Sequence, residues 1–131
     1  MTEPAQIGAA TPYLIVTDLA ASLDFYTKQL GFECRFTAPD EDPFFGIVGR
    51  DSTQIMLKVI ADDVKPMPNP SRHEWASWDA FIHVADPDAL AKEFAGRGTA
   101  LHKPLGNRDD GLRGFEVADP DGYVFFFGRP N

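Results

Sequence analysis

Apolar and polar positions along the chain change period at regular intervals, and the changes define the elements. Residues 11–16 alternate, with Tyr13 and Ile15 on one face and Leu14 and Val16 on the other, which predicts a strand. From Leu19 the period lengthens: Leu19, Leu23, Tyr26 and Leu30 recur at helical spacing, with Phe25 widening the stripe. Thr17 or Asp18 is placed to cap that helix, and Gly31 supplies its left-handed stop. Strand-like runs follow at 32–38, 44–49 and 54–60, the last two forming a hairpin around Arg50-Asp51-Ser52-Thr53.

The pattern then repeats. In DAFIHVADPDALAKEFAGRG, residues 79–98, an apolar strand meets an Asp, a helical stripe and a Gly in the order already seen in 11–31. Asp86 stands 68 positions after Asp18, and Gly98 stands 67 after Gly31, so the copies stay in step within one residue. Ala80, Ile82 and Val84 share one strand face; Asp79, Phe81 and His83 share the other. Asp86 caps the second helix, Pro87 suits its first position, and Leu90 and Phe94 pair four residues apart. Strands are expected near 100–103, 113–118 and 123–128, the last two joined by the ADPDG turn. Between the copies, Pro66, Pro68 and Pro70 forbid a helix or a central strand. The expected organisation is one domain, 1–131, with strand-helix-three-strand units at 11–60 and 79–128 and a Pro-rich linker loop at 61–78. Residues 1–10 read as a loose leader.

Composition narrows the function classes. With 131 residues and 44% apolar positions the chain can bury a core without staples, and no apolar run approaches a membrane span. A formal charge of −8 without a basic stripe argues against nucleic acid. The start MTEPAQIGAA lacks the form of a signal peptide, and the lone Cys34 cannot form an internal disulfide; both point to the cytoplasm. Cys34 itself reads as a buried small hydrophobe at a strand start. There is no GxSxG elbow, no partner for Cys34 and no phosphate-binding Gly loop, so no catalytic residue is expected.

Together, the junctions VTDLAASLDFYTKQLGF and HVADPDALAKEFAGRG and the terminal FEVADPDGYVFFFG resemble the vicinal oxygen chelate superfamily. That superfamily includes glyoxalase I, extradiol dioxygenases, fosfomycin-resistance enzymes and bleomycin-resistance proteins. The resemblance spans Thr11 to Gly128 and implies an α+β fold, two repeated βαβββ units forming a curved mixed sheet around a cavity with helices outside. Enzymes of the family hold a divalent metal in that cavity, and the implied ligand positions here are Thr11, Met56, Asp79 and Phe126. Thr, Met and Phe cannot supply the N or O donors such an ion needs. The segment GLRGFEVADPDGYVFFFG looks most like the bleomycin-resistance branch, whose members pair and sequester ligands without metal in clefts between units of both subunits. The resemblance thus implies a metal-independent, cofactor-free homodimer that binds a cationic or aromatic small molecule. The alternative is a lyase, isomerase or oxygenase holding metal through Asp79, His83 and Glu116.

The candidate ligand-binding residues are Tyr13, Trp75, Trp78, Asp79, Phe81, His83, Arg113 and Phe126. Tyr13, Phe81 and Phe126 suit an aromatic wall for a planar or cationic guest, and suit an ordinary core equally. Trp75 and Trp78 either touch ligand or fold back on the core or an interface. Asp79 is a cavity carboxylate or a wetted strand start. His83 lies on the same face four residues on, a separation of about 13 Å in a strand, which prevents the two from sharing one ion. It reads as a hydrogen-bonding wall residue; His73 and His102 read as exposed. Arg113 could hold an anion, pair with Glu116 or Asp79, or form a surface salt bridge.

Overall fold

The computed structural model describes residues 3–131; Met1 and Thr2, the start of the expected leader, lie outside the described residues. The first unit runs β1 (Tyr13–Ile15), α1 (Leu19–Asp24), β2 (Glu33–Ala38), β3 (Phe45–Arg50) and β4 (Thr53–Lys58). After the short α2 (Asn69–Arg72), the second runs β5 (Ala80–His83), α3 (Pro87–Gly96), β6 (Lys103–Asn107), β7 (Leu112–Ala118) and β8 (Val124–Pro130). Each unit forms a four-stranded mixed sheet, ordered β1-β4-β3-β2 and β5-β8-β7-β6. The first strand of each lies parallel to its last, and the other pairs are antiparallel. The chain is an α+β fold of two repeated βαβββ units.

Both helices begin as their caps dictate. The Asp18 carboxylate accepts from the Ala21 N–H at 3.1 Å, and Asp86 accepts from Ala89 at 3.0 Å, each satisfying a donor left free by the first turn. The helix expected to run unbroken from Leu19 to Leu30 instead widens into π-helical turns over Phe25–Gln29. The Thr27 hydroxyl donates to the Leu23 carbonyl at 2.8 Å, a side-chain bond that loosens the ladder at this point. The widened turn still delivers Tyr26 and Leu30 fully into the core. Gly31, at φ +69°, then closes the helix.

Three expectations need correction. The strand expected at 100–103 lies at Lys103–Asn107, because His102 makes a single bond to the Glu116 carbonyl and the ladder proper starts only opposite Glu116, with an irregularity after it. The Pro-rich loop does contain one helical turn: Pro70 falls in its first turn, where a missing N–H costs nothing. Cys34 is exposed, since β2 is an edge strand whose first four residues all face solvent.

One core unites the units. It gathers Val16, Leu19, Tyr26, Leu30, Val48, Ile55 and Leu57 from the first unit with Phe94, Phe115, Val117, Phe125 and Phe127 from the second. Phe94 meets Phe115 and Phe127 edge-on, and Tyr26 meets Phe125 at 6.0 Å. Polar bonds stitch the seam as well. Arg50 forks onto Glu93 with two bonds of 2.8 Å, while Arg97 reaches the Lys28 carbonyl and the Thr99 hydroxyl the Gln29 carbonyl. Those carbonyls at the end of the first helix would otherwise be orphaned.

This core lies on the helix-covered faces of the two sheets. Their other faces are left open, and the sheets do not close around one another. On the first sheet the open face carries Tyr13, Phe36 and Phe45, with Tyr13 54% and Phe36 51% exposed.

Candidate functional site

The open face of the second sheet carries a ring cluster built by strand alternation. Ala80 and Ile82 pack on the core, so Phe81 and His83 emerge on the other side, their rings 4.5 Å apart. The ladder sets Phe81 against Phe126, with ring centroids 5.0 Å apart. Trp78, arriving from the end of the Pro-rich loop, stacks on Phe126 at 4.7 Å with the planes 28° apart. Phe126 can lie flat because its neighbours are Gly114 and Gly128, paired across β7 and β8. A Cβ on Gly114 would come 2.7 Å from the Phe126 ring, and one on Gly128 2.5 Å from it. The two glycines set the ring's position.

Beside the rings stands a charged group. The Arg108 guanidinium lies 5.0 Å from the Trp78 ring centre and 5.6 Å from that of Phe126, within cation–π range. Its Nη1 stands 3.5 Å from Oε2 of Glu116, and Asp110 holds its other side at 3.1 Å. The Glu116 side chain is only 2% exposed, and Lys103 Nζ reaches no closer than 3.9 Å. Lys103, Arg108, Glu116 and Phe126 border a hollow of about 190 Å³ beneath the β6–β7 hairpin. A second hollow, of about 390 Å³, opens beside Phe81 and His83, where Ala10 and Pro12 pass the β3–β4 turn.

Of the eight residues singled out from sequence, the fold brings four together: Trp78, Phe81, His83 and Phe126. The others stand elsewhere. Tyr13 belongs to the first sheet, where its ring meets Phe45. Trp75 is 83% exposed and touches the His73 ring. Asp79 is fully engaged with backbone: Oδ1 accepts from the Asn69 N–H at 2.7 Å and Oδ2 from Val124 at 2.8 Å, tying the Pro-rich loop to the start of β8. Arg113 shares the helix side of β7 with Phe115 and forks onto Asp88 of α3 at 2.7 and 2.9 Å. It meets neither Glu116 nor Asp79, because strand alternation sends it to the opposite face. Its role is the surface ion pair, which holds the Asp88 carboxyl below its usual range.

Arg108 escaped the sequence reading. It sits in NRDDG between two strands, a segment with the composition of a solvated turn, and nothing local marks that it folds back over Trp78. Glu116 was visible as a carboxylate but not as part of a ring-lined face.

The model of the Glyoxalase/Bleomycin resistance protein/Dioxygenase superfamily matches residues 6–127. The chain belongs to that superfamily. No curated protein sequence matches it. Among solved structures it is similar to the bleomycin-binding protein from bleomycin-producing Streptomyces verticillus, solved with copper(II)-bleomycin: 27% identity, TM-score 0.69, covering 98% of this chain and 100% of that one. It is also similar to a superfamily member from Sphaerobacter thermophilus (28% identity, TM-score 0.64, 95% and 97% covered). An antibiotic-binding protein from Streptomyces sp. CB03234 shares the fold at 22% identity, with TM-score 0.71 and 98% and 100% covered.

A metal does not fit the superfamily's usual positions in this member. The ladders set Tyr13 against Met56 and Phe81 against Phe126, and thioether and phenyl groups are poor donors for a hard or borderline ion. Thr11 and Asp79 fall two residues earlier, and both Asp79 oxygens already hold backbone N–H groups. Among the described residues no three His, Cys, Asp or Glu side chains gather into a metal-holding group, so Asp79, His83 and Glu116 do not form one.

Proposed function

We propose that this protein is a metal-independent small-molecule-binding protein of the bleomycin-resistance type, sequestering a cationic or aromatic guest against the second sheet. One observation carries it. Where a metal enzyme would need converging donors, Trp78 stacks on Phe126 and Phe81 packs against both at steeper angles, forming an aromatic wall. Such a wall binds by area and π contact and supplies no nucleophile or base. The S. verticillus relative at 27% identity binds copper(II)-bleomycin, which makes a bleomycin-type glycopeptide the natural first probe.

The working form is a homodimer. Each chain leaves two aromatic faces partly exposed, Phe126 lying covered beneath Trp78 and Phe81 on the second, and among the described residues no ring of Tyr13, Phe36 or Phe45 meets one of Trp78, Phe81 or Phe126. Pairing two chains, first sheet facing second, turns each open face into the wall of a cleft. Trp75 and Tyr13 would then stand at the rim of that cleft, and Asp79 would anchor the loop that carries Trp78. The exposed thiol of Cys34 supports a reducing, cytoplasmic location.

Titration of the intact protein with copper(II)-bleomycin, followed by tryptophan emission, tests the function. Saturable quenching that disappears in Trp78→Phe is expected. Absence of binding to any bleomycin-type glycopeptide removes the antibiotic version. Near-stoichiometric Ni, Zn, Mn or Fe in protein purified without chelator overturns metal independence.

A further inference from the structure

Glu116 is the anomaly on the ring-lined face. Its side chain is 2% exposed, yet Oε1 has no hydrogen-bond partner among the described residues. Buried carboxylate oxygens are normally satisfied, and one that is not marks either strain or a missing partner. The cations nearby do not supply the partner. Arg108 and Lys103 both approach Oε2, at 3.5 and 3.9 Å, leaving Oε1 buried and unpartnered in a residue that lines the 190 Å³ hollow. Arg108 makes its closer bonds to Asp110 on the solvent side, at 3.1 and 3.2 Å.

The position of Arg108 is equally telling. A flat guanidinium lies over Trp78 and Phe126 and points one edge at a carboxylate, but from too far for the bidentate pairing an arginine and a carboxylate usually form. It occupies the place of a planar cation without making that cation's best bonds.

We infer that the guest is a planar organic cation of amidinium or guanidinium type, which displaces Arg108 from the Trp78–Phe126 wall and donates N–H to Glu116 Oε1. Arg108 is then an internal stand-in: it shields the rings and neutralises Glu116 while the face is empty, and withdraws from both, keeping its bonds to Asp110, when the guest arrives. The net charge of −8 favours the approach of such a cation. This presupposes the ligand-binding role proposed above and specifies the chemistry it selects.

Three near-isosteric probes separate the two ideas: benzamidinium, benzamide and benzoate, titrated into the Trp75→Phe protein so that emission reports Trp78. Benzamidinium should bind at least tenfold more tightly than benzamide, with benzoate weakest. Glu116→Gln should bring benzamidinium to the benzamide level. Arg108→Ala, at a partly exposed turn position that does not threaten folding, should tighten benzamidinium about tenfold and benzamide by clearly less, since Arg108 covers the rings against both but competes for Glu116 only with the cation. Equal or tighter binding of benzamide or benzoate, or weaker benzamidinium binding in Arg108→Ala, overturns the inference and leaves small-molecule binding standing. Should none of the three bind while the glycopeptide does, the inference again falls alone. If nothing binds, both fall.

Discussion

The hydroxyl of Tyr26 donates to the carboxylate of Asp119 at 2.7 Å, joining the first unit's helix to the last turn of the second across 93 positions of chain. Asp119 uses its other oxygen for the N–H groups of Asp121 and Tyr123, both at 2.9 Å. Every one of these partners donates, as an ionised carboxylate requires. Burial nevertheless outweighs them and, with the nearby Asp121, pushes the Asp119 carboxyl up to about 6. Burial, and then Asp119 itself, holds the Tyr26 phenol well above its usual range.

A raised carboxyl fixes the sign of the pH dependence. Asp119 is protonated more readily in the folded protein than in the unfolded chain, where its ordinary value is 3.8. Its contribution is fully present below that value and is lost as pH rises through about 6. A displacement of that size is worth about 3 kcal/mol. Urea unfolding between pH 4 and pH 7.5 should therefore show stability falling, and Asp119→Asn should remove most of the fall. Tyr26→Phe removes a donor from the buried carboxylate and should cost about 1–3 kcal/mol, more at pH 7.5 than at pH 4.

Glu93 works in the opposite sense. Its bond to Arg50, and then that to Arg97, lower its carboxyl to about 2. That contribution is present above the ordinary value of 4.5 and is lost as pH falls toward 2. The side chain is 35% exposed, so solvent screening reduces the effect to about 1 kcal/mol. Glu93→Gln should flatten the acid limb below pH 4.5 and leave the Asp119-dependent limb intact. With both groups present, stability should peak between about pH 3.8 and 4.5, above which only the Asp119 loss remains, a position that thermal melts across pH can locate.

Much of this architecture was legible in the pattern because local and tertiary demands agree along it. Asp18 and Asp86 cap the helices, Gly31 and Gly98 take positive φ after them, and Phe81 and Phe126 fall on one face by simple alternation. What the pattern could not carry was contact between segments far apart in sequence or held by irregular backbone. Arg113 looked available because its sequence neighbours include Glu116, but its partner Asp88 lies 25 positions away on α3. Asp79 looked like a cavity acid because nothing local shows that the Asn69 and Val124 N–H groups converge on it. Arg108 is the clearest case, since a turn residue meets Trp78 only after the whole second sheet has formed.

The open face of the first sheet offers a test of pairing that leaves the core untouched. Phe36 sits on edge strand β2 with half its surface in water, and its ring meets Phe45 at 6.1 Å. In the proposed dimer this is a buried anchor, and a carboxylate there would be desolvated without a partner. Phe36→Glu should raise the dimer dissociation constant on the order of 100-fold while changing the melting temperature of the monomer little. Sedimentation velocity over a concentration series gives the answer. A Phe36→Glu protein that still sediments as a stable dimer would place the interface elsewhere.

Gly114 tests whether the ring wall is positioned or merely present. A Cβ there would strike the Phe127 carbonyl oxygen, come 2.8 Å from the Gly128 Cα and lie 2.7 Å from the Phe126 ring. Two of these neighbours are backbone of the paired strand, so β7 and β8 must part, whereas the ring can tilt. Overpacking of this kind costs about 1–3 kcal/mol, and Gly114→Ala should lose that much in urea unfolding. Replacing Phe126 by Leu removes only the ring's share of the clash, so the double variant should recover part of the loss, with coupling of about 0.5–1 kcal/mol between the two sites. Binding separates the roles further. Trp78 stacks on Phe126, so a tilted ring should weaken ligand affinity even at pH 4–5, where the fold has stability to spare. Gly114→Ala with unchanged affinity and lowered stability would mean that the glycine serves strand packing alone.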